Sequence, residues 1–172
     1  MKKILTTTLI ILINLTTFSQ TSLDYLLFNK CNEYREQNGL KKWEWSGRAF
    51  KPAEHHSNYQ ARTGKMGHDE NTITPRPTSR LDYYDIFWTY SGENCAVICS
   101  SNMSENAIAE RILDLWKKSP PHNELLLNAD DAEVGAISCK VGRTYKWSKN
   151  EYDWVFCTLT VFSEYKYSFV VD

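Results

Sequence analysis

The sequence predicts an α+β fold in one domain, on three observations. Segments with helical periodicity dominate the chain up to its last third, stretches with two-residue alternation close it, and no repeat, low-complexity tract or linker divides it. Of the 172 residues, 42% are hydrophobic and 24% are charged, the balance of an ordinary folded protein rather than a disordered one. Lysine plus arginine (20) nearly equals aspartate plus glutamate (21), so no basic footprint for nucleic acid or an anionic membrane exists.

The first 19 residues are expected to be a leader. Lys2 and Lys3 form a short positive region, residues 4–15 are apolar but carry three threonines, and Thr17 and Ser19 are the small residues before a cut. Twelve residues are too few to span a bilayer. The absence of a cysteine near the cut argues against a lipid anchor. The expectation is therefore export, to the periplasm or outside the cell, with residues 20–172 as a single domain and no membrane span.

Leu23, Leu26, Leu27, Cys31 and Tyr34 recur at helical spacing, which predicts a helix over 22–38 stopped by Gly39. Ser46 is a natural cap for a second helix reaching Thr63 and ending at Gly64, with Pro52 in conflict unless it is confined to a first turn or kinks the helix. Residues 65–80, with Pro75 and Pro77, read as a loop. Residues 83–98 are aromatic and β-prone around a break at Ser91-Gly92. Ser104 opens a third helix whose apolar face is Ile108, Ile112, Leu115 and Trp116, and Pro120-Pro121 stops it. Strands follow at 134–141 and 154–162, joined by a polar stretch over 142–153.

Export makes disulfides permissible for the five cysteines. Antiparallel pairing of the last two strands in one register places Cys139 opposite Cys157, and a disulfide is expected there, with two buried free thiols as the alternative. Cys31, Cys95 and Cys99 remain unassigned, with a local Cys95–Cys99 pair as one option; the odd count requires a free thiol or an outside partner. No paired Cys-x-x-Cys spacing marks a structural zinc site.

Only four histidines are present: His55, His56, His68 and His122. None lies in His-Glu-x-x-His, and His55 and His56 project about 100° apart on a helix, so at most one of them faces a site. His68 falls in a loop, His122 just beyond a helix end, and Glu93 beside a strand, places where functional groups usually sit. Spacing alone does not bring these three together. Tyr83, Tyr84, Phe87, Trp88 and Tyr90 either line an apolar groove or fill the core beside the sheet.

Several blocks in order resemble the CAP superfamily (cysteine-rich secretory proteins, antigen 5, pathogenesis-related 1) in its compact bacterial form. They are Leu27-Phe28-Asn29 with Arg35 and Gly39-Leu40; Ala53 to Ser57 running on to Gly64-Lys65-Met66-Gly67-His68; Ser91-Gly92-Glu93-Asn94; Trp116 to Asn123 leading to Leu126-Leu127-Asn128; Val134-Gly135-Ala136; and Trp154-Val155-Phe156. The resemblance implies an α-β-α sandwich, with a small antiparallel sheet between helical layers and a cleft lined by two histidines and two acids. His68, Glu93 and His122 match three of those four; the position of the second acid is Ser119 here. The resemblance thus nominates His68, Glu93 and His122 as holders of zinc or another divalent cation, with an open fourth position. The same groups suit acid–base work, and Glu93 equally suits simple bracing of the cleft. No catalytic residue is assigned.

Three functions follow. The first is an extracellular or envelope binding module, whose ligand is a lipid or sterol (as the family's associations imply) or a protein. The second is a metal-assisted hydrolase of peptide or another polymer, and the third is a structural protein with an idle cleft. The missing acid and the export signal favour binding over catalysis.

Overall fold

Thr21 and Asp24 begin the first helix by exchanging hydrogen bonds, each side chain accepting the other's backbone N–H. This is α1 (Ser22–Gln37), which buries Leu23, Leu27, Phe28 and Cys31. The computed structural model describes residues 21–100, 102–127, 132–142, 145–147 and 150–164; the leader over 1–19 lies outside them. A two-residue strand, β1 (Glu44–Trp45), precedes α2 (Gly47–Thr63). Ser46 caps α2 by accepting from the N–H groups of Arg48 and Ala49, and Gly64 ends it at φ 70°. Pro52 sits in the second turn of α2, where its missing N–H costs one ladder bond without ending the helix.

The stretch expected to be loop contains a helix, α3 (Pro77–Tyr83). Pro77 stands in its first turn, where a fixed φ helps and an N–H is not needed. Tyr83 therefore belongs to a helix, and the strand begins later, as β2 (Trp88–Cys99), which runs unbroken through Ser91-Gly92 with a register shift between Trp88 and Tyr90. Next comes α4 (Glu105–Lys118), capped by Ser104 as expected. The two prolines that stop α4 also start α5 (Pro120–Leu127), because a first turn tolerates both. His122 accordingly lies on a helix, not in a loop.

Two long strands close the domain, β3 (Val134–Val141) and, after the short hairpin β4 (Tyr145–Trp147) and β5 (Asn150–Tyr152), β6 (Trp154–Glu164). The hairpin occupies the stretch read as a polar connection. The main sheet has the order β1-β3-β6-β2, with β6 antiparallel to both neighbours and β1 adding a short parallel edge. Cys139 faces Cys157 across β3 and β6, and the two are joined by a disulfide. Cys31, Cys95 and Cys99 are free thiols, so the local Cys95–Cys99 pair is not formed.

Alternation along the strands sends Ile137, Cys139, Leu159 and Val161 toward α1, α4 and α5, and Ala136 and Phe162 toward α2 and Leu81 of α3. The sheet is thus covered on both faces by helices. β2 is its other edge strand, and both helical layers reach that edge: α3 from one face, α5 from the other.

Candidate functional site

Glu93 and Cys95 are two apart on β2 and so project to one face of the sheet, the face covered by α2 and α3. Glu93 is almost fully buried, and both its oxygens are engaged. Oε2 accepts from Arg80 Nη2 of α3 at 2.7 Å, and Oε1 accepts from His68 Nδ1 at 2.9 Å. Arg80 is itself fully buried; the same Nη2 donates to the His68 carbonyl at 3.0 Å, and Nη1 stands 3.4 Å from Glu70 Oε1. His56 of α2 completes the cluster, with Nδ1 2.7 Å from Glu70 Oε1 and Nε2 donating to the Gly67 carbonyl at 2.7 Å. Gln60 Nε2 donates to that carbonyl as well, at 2.9 Å, so two side chains of α2 hold the loop that presents His68.

The structure therefore brings His68 and Glu93 into direct contact. His122 arrives from the far side of the β2 edge: its carbonyl accepts from Asn94 Nδ2 at 2.9 Å, and its ring centre lies 6.4 Å from that of His68. Ser119, where the resemblance leads one to expect a second acid, is the C-cap of α4, and its carbonyl accepts from the Asn123 N–H. His56 is the one of the two adjacent histidines that joins the cluster, whereas Arg80, Glu70 and Cys95 escaped sequence reasoning. The i, i+2 spacing of Glu93 and Cys95 on a β-prone run was a usable signal for the last. Nothing in the sequence signalled that Arg80 would meet both Glu93 and Glu70.

The charges sort the groups by role. Burial alone would raise the Glu93 titration, but the hydrogen bond from His68 and the Arg80 guanidinium overcome it, and the carboxyl titrates below its ordinary range. Glu93 is thus an ion at neutral pH with no proton to give. His68 is pushed up, chiefly by its hydrogen bond to Glu93 against the opposing effect of partial burial. His122 is pushed down by burial and by His68, which leaves it a neutral imidazole with a lone pair to offer. Burial, then the Glu93 charge, drives the Cys95 thiol well above its ordinary range.

Could this donor set hold a metal? Among the described residues, His56, Glu93 and Cys95 offer ligand atoms that all lie within 4.8 Å of one another. Nitrogen, carboxylate and thiol donors together suit zinc better than magnesium or calcium. Glu70 and Glu93 are the two carboxylates of the cluster, each facing the Arg80 guanidinium and a histidine.

Beside His68 a groove of about 410 Å³ runs between α3 and β2, lined by His68, Arg76, Pro77, Thr78, Leu81, Ser91, Gly92, Glu93 and Thr160. The hydroxyl of Thr160 is buried there with no hydrogen-bond partner among the described residues. None of the five aromatics lines this groove. Tyr83 and Phe87 are exposed, whereas Tyr84 and Trp88 pack on the α2 face and Tyr90 on the α1/α4 face.

With this geometry in hand, comparison with known proteins is decisive for the family. Residues 28–159 match the Cysteine-rich secretory protein family, CAP. This chain belongs to the CAP family. No curated protein matches it in sequence. Solved structures share the fold at low identity. An extracellular protein containing an SCP domain from Bacillus anthracis is 20% identical with a TM-score of 0.61, over 83% of this chain and 40% of that one. An outer surface protein from Borrelia burgdorferi is 20% identical with a TM-score of 0.57, over 81% of this chain and 92% of that one. A cysteine-rich secretory protein from Staphylococcus aureus is 18% identical with a TM-score of 0.51, over 82% of this chain and 39% of that one. This CAP chain thus spans about two-fifths of the Bacillus protein's length. No helix among the described residues is long and apolar enough to cross a membrane.

Proposed function

We propose that this CAP domain is an exported binding module, whose recognition site is the His68–Glu93–His122 cleft and the groove beside it. The observation that carries this reading is Glu93, whose two oxygens are already committed to His68 and Arg80. A carboxylate held in that way positions its neighbours rather than moving protons, which favours binding over hydrolysis. The groove supplies the ligand's place. Its lining is mainly apolar, with a few polar groups such as the orphan Thr160 hydroxyl, which suits an amphipathic ligand, either a stretch of protein or a lipid. Export is supported by the leader-like residues 1–19, by the disulfide, and by the extracellular and outer-surface nature of two fold neighbours.

Within this reading the cleft takes up a divalent cation, zinc in the first instance, through His68, Glu93 and His122. Bound there, the ion would cross-link the α2–α3 side of the cleft to α5. Calorimetric titration of zinc into the wild type, His68→Ala and His122→Ala tests it. One-to-one binding at micromolar or tighter affinity, lost in both variants, is the expected outcome. No binding by any of the three, with the fold intact, sinks the metal part and leaves the groove alone as the site. Sterol-containing vesicles that bind the protein equally well after His68→Ala would assign the groove to lipid rather than to a stretch of protein.

A further inference from the structure

Cys95 is an unused soft donor at the base of this cleft. Its Sγ lies 3.5 Å from Glu93 Oε1 and 3.7 Å from His68 Nδ1, and those two atoms are 2.9 Å apart. Donors on one tetrahedral zinc, at bond lengths of about 2.0 Å to nitrogen and oxygen and about 2.3 Å to sulfur, are separated by about 3.3–3.6 Å. The three atoms therefore already outline one face of such a site. His56, although its Nε2 is 3.9 Å from the same Glu93 oxygen, spends that nitrogen on the Gly67 carbonyl and the other on Glu70. His68 makes neither bond and is half exposed, so it offers the path by which an ion enters.

We infer that Cys95 is a thiolate ligand to zinc in this chain, sharing the ion with His68 and Glu93 at the inner wall of the cleft. The inference rests on the metal reading above and adds a donor to it. Its framework is rigid: the Cys95 carbonyl accepts from the buried Trp116 indole N–H at 3.1 Å, and Glu93 Oε2 is held by Arg80, so Oε1 is the oxygen turned toward the thiol. As the ion binds it replaces the proton between His68 and Glu93 and the proton on the thiol; both pass to the solvent, and nothing is oxidised or reduced. His122, whose ring centre is 6.4 Å from that of His68, lies beyond these three donors, and the fourth position is open to it or to water.

The test is cobalt substitution with parallel zinc titration, in a Cys99→Ser background so that the partly exposed Cys99 does not contribute. A thiolate-to-cobalt charge-transfer band in the near ultraviolet, abolished by Cys95→Ser, with zinc affinity lowered at least tenfold in that variant, is the expected result. Cys95→Ala serves if serine disturbs the fold, and the band of the parent protein decides the matter by itself if neither variant folds. Zinc binding unchanged by Cys95→Ser and no such band would overturn the thiolate assignment while leaving the metal reading standing. Absence of zinc and cobalt binding by the folded parent protein would overturn both.

Discussion

Glu93 is held between two cations of different kinds. One is the guanidinium of Arg80; the other, His68, is charged only below its own titration, so the strength of the cluster varies with pH. His68 titrates above its ordinary 6.5; the stability it adds is complete below pH 6.5 and is lost as pH rises through the raised value. Glu93 titrates below its ordinary 4.5; its contribution is present above pH 4.5 and is lost as pH falls through the lowered value. The stability difference between wild type and His68→Ala, read from urea midpoints across pH, should peak between pH 4.5 and 6.5 and shrink on the alkaline side. A difference that stays flat from about pH 5 to 9 would show that the His68–Glu93 bond carries no net stability. Glu93 is thus best understood as a fixed charge.

At the level of elements, the cleft exists because β2 is an edge strand and because both its flanks are helices started by proline. Pro77 starts α3, which delivers Arg80; Pro120 starts α5, which delivers His122. A proline after a helix stops that helix, but in a first turn the same residue starts the next one, and α5 went unread for that reason. The strand opposite sets a second demand. Gly135 of β3 packs so closely that a Cβ there would lie 2.9 Å from Val161 Cγ1 and 3.2 Å from the Thr160 carbonyl oxygen, which is backbone and cannot yield. Gly135→Ala is expected to cost about 1–3 kcal/mol in urea unfolding, the usual penalty for overpacking. A cost near zero would mean that β3 and β6 can separate without loss.

Across the whole molecule, two helical layers share one sheet, and the covalent link runs within that sheet rather than between layers. Cys139 and Cys157 are 18 residues apart and directly opposite on β3 and β6. Closing a loop of that length in the unfolded chain is worth about 3 kcal/mol. The Cys139→Ala/Cys157→Ala double variant should therefore unfold at lower urea by roughly that free energy, and wild type under reducing conditions should match it. Equal stability in all three would assign the domain's stability to packing alone. The α1 layer is joined to the same strands by Asp24, whose Oδ2 accepts the Thr21 N–H and whose Oδ1 accepts the Cys139 N–H at 2.7 Å. One carboxylate thereby starts a helix and ties it to the disulfide-bearing strand.

Much of this was legible before any coordinates. Periodicity and caps located α1, α2 and α4, alternation located β3 and β6, and their antiparallel pairing set Cys139 against Cys157. These features are local, or depend on one strand pairing, so nearest-neighbour chemistry specifies them. The short helices α3 and α5 were missed because seven or eight residues carry too little periodicity to stand above a proline-rich background. The charge-bearing floor of the cleft was also out of reach. Arg80, Glu70 and His56 are buried only because α2, α3 and the β2 edge converge there, and a buried charge is tolerable only where its partners arrive with it. Sequence alone marks His68, Glu93 and His122 through resemblance, yet leaves their meeting undetermined. The topology that puts β2 at the edge of the sheet decides that His68 bonds Glu93, that His122 faces them from α5, and that Cys95 lies beneath.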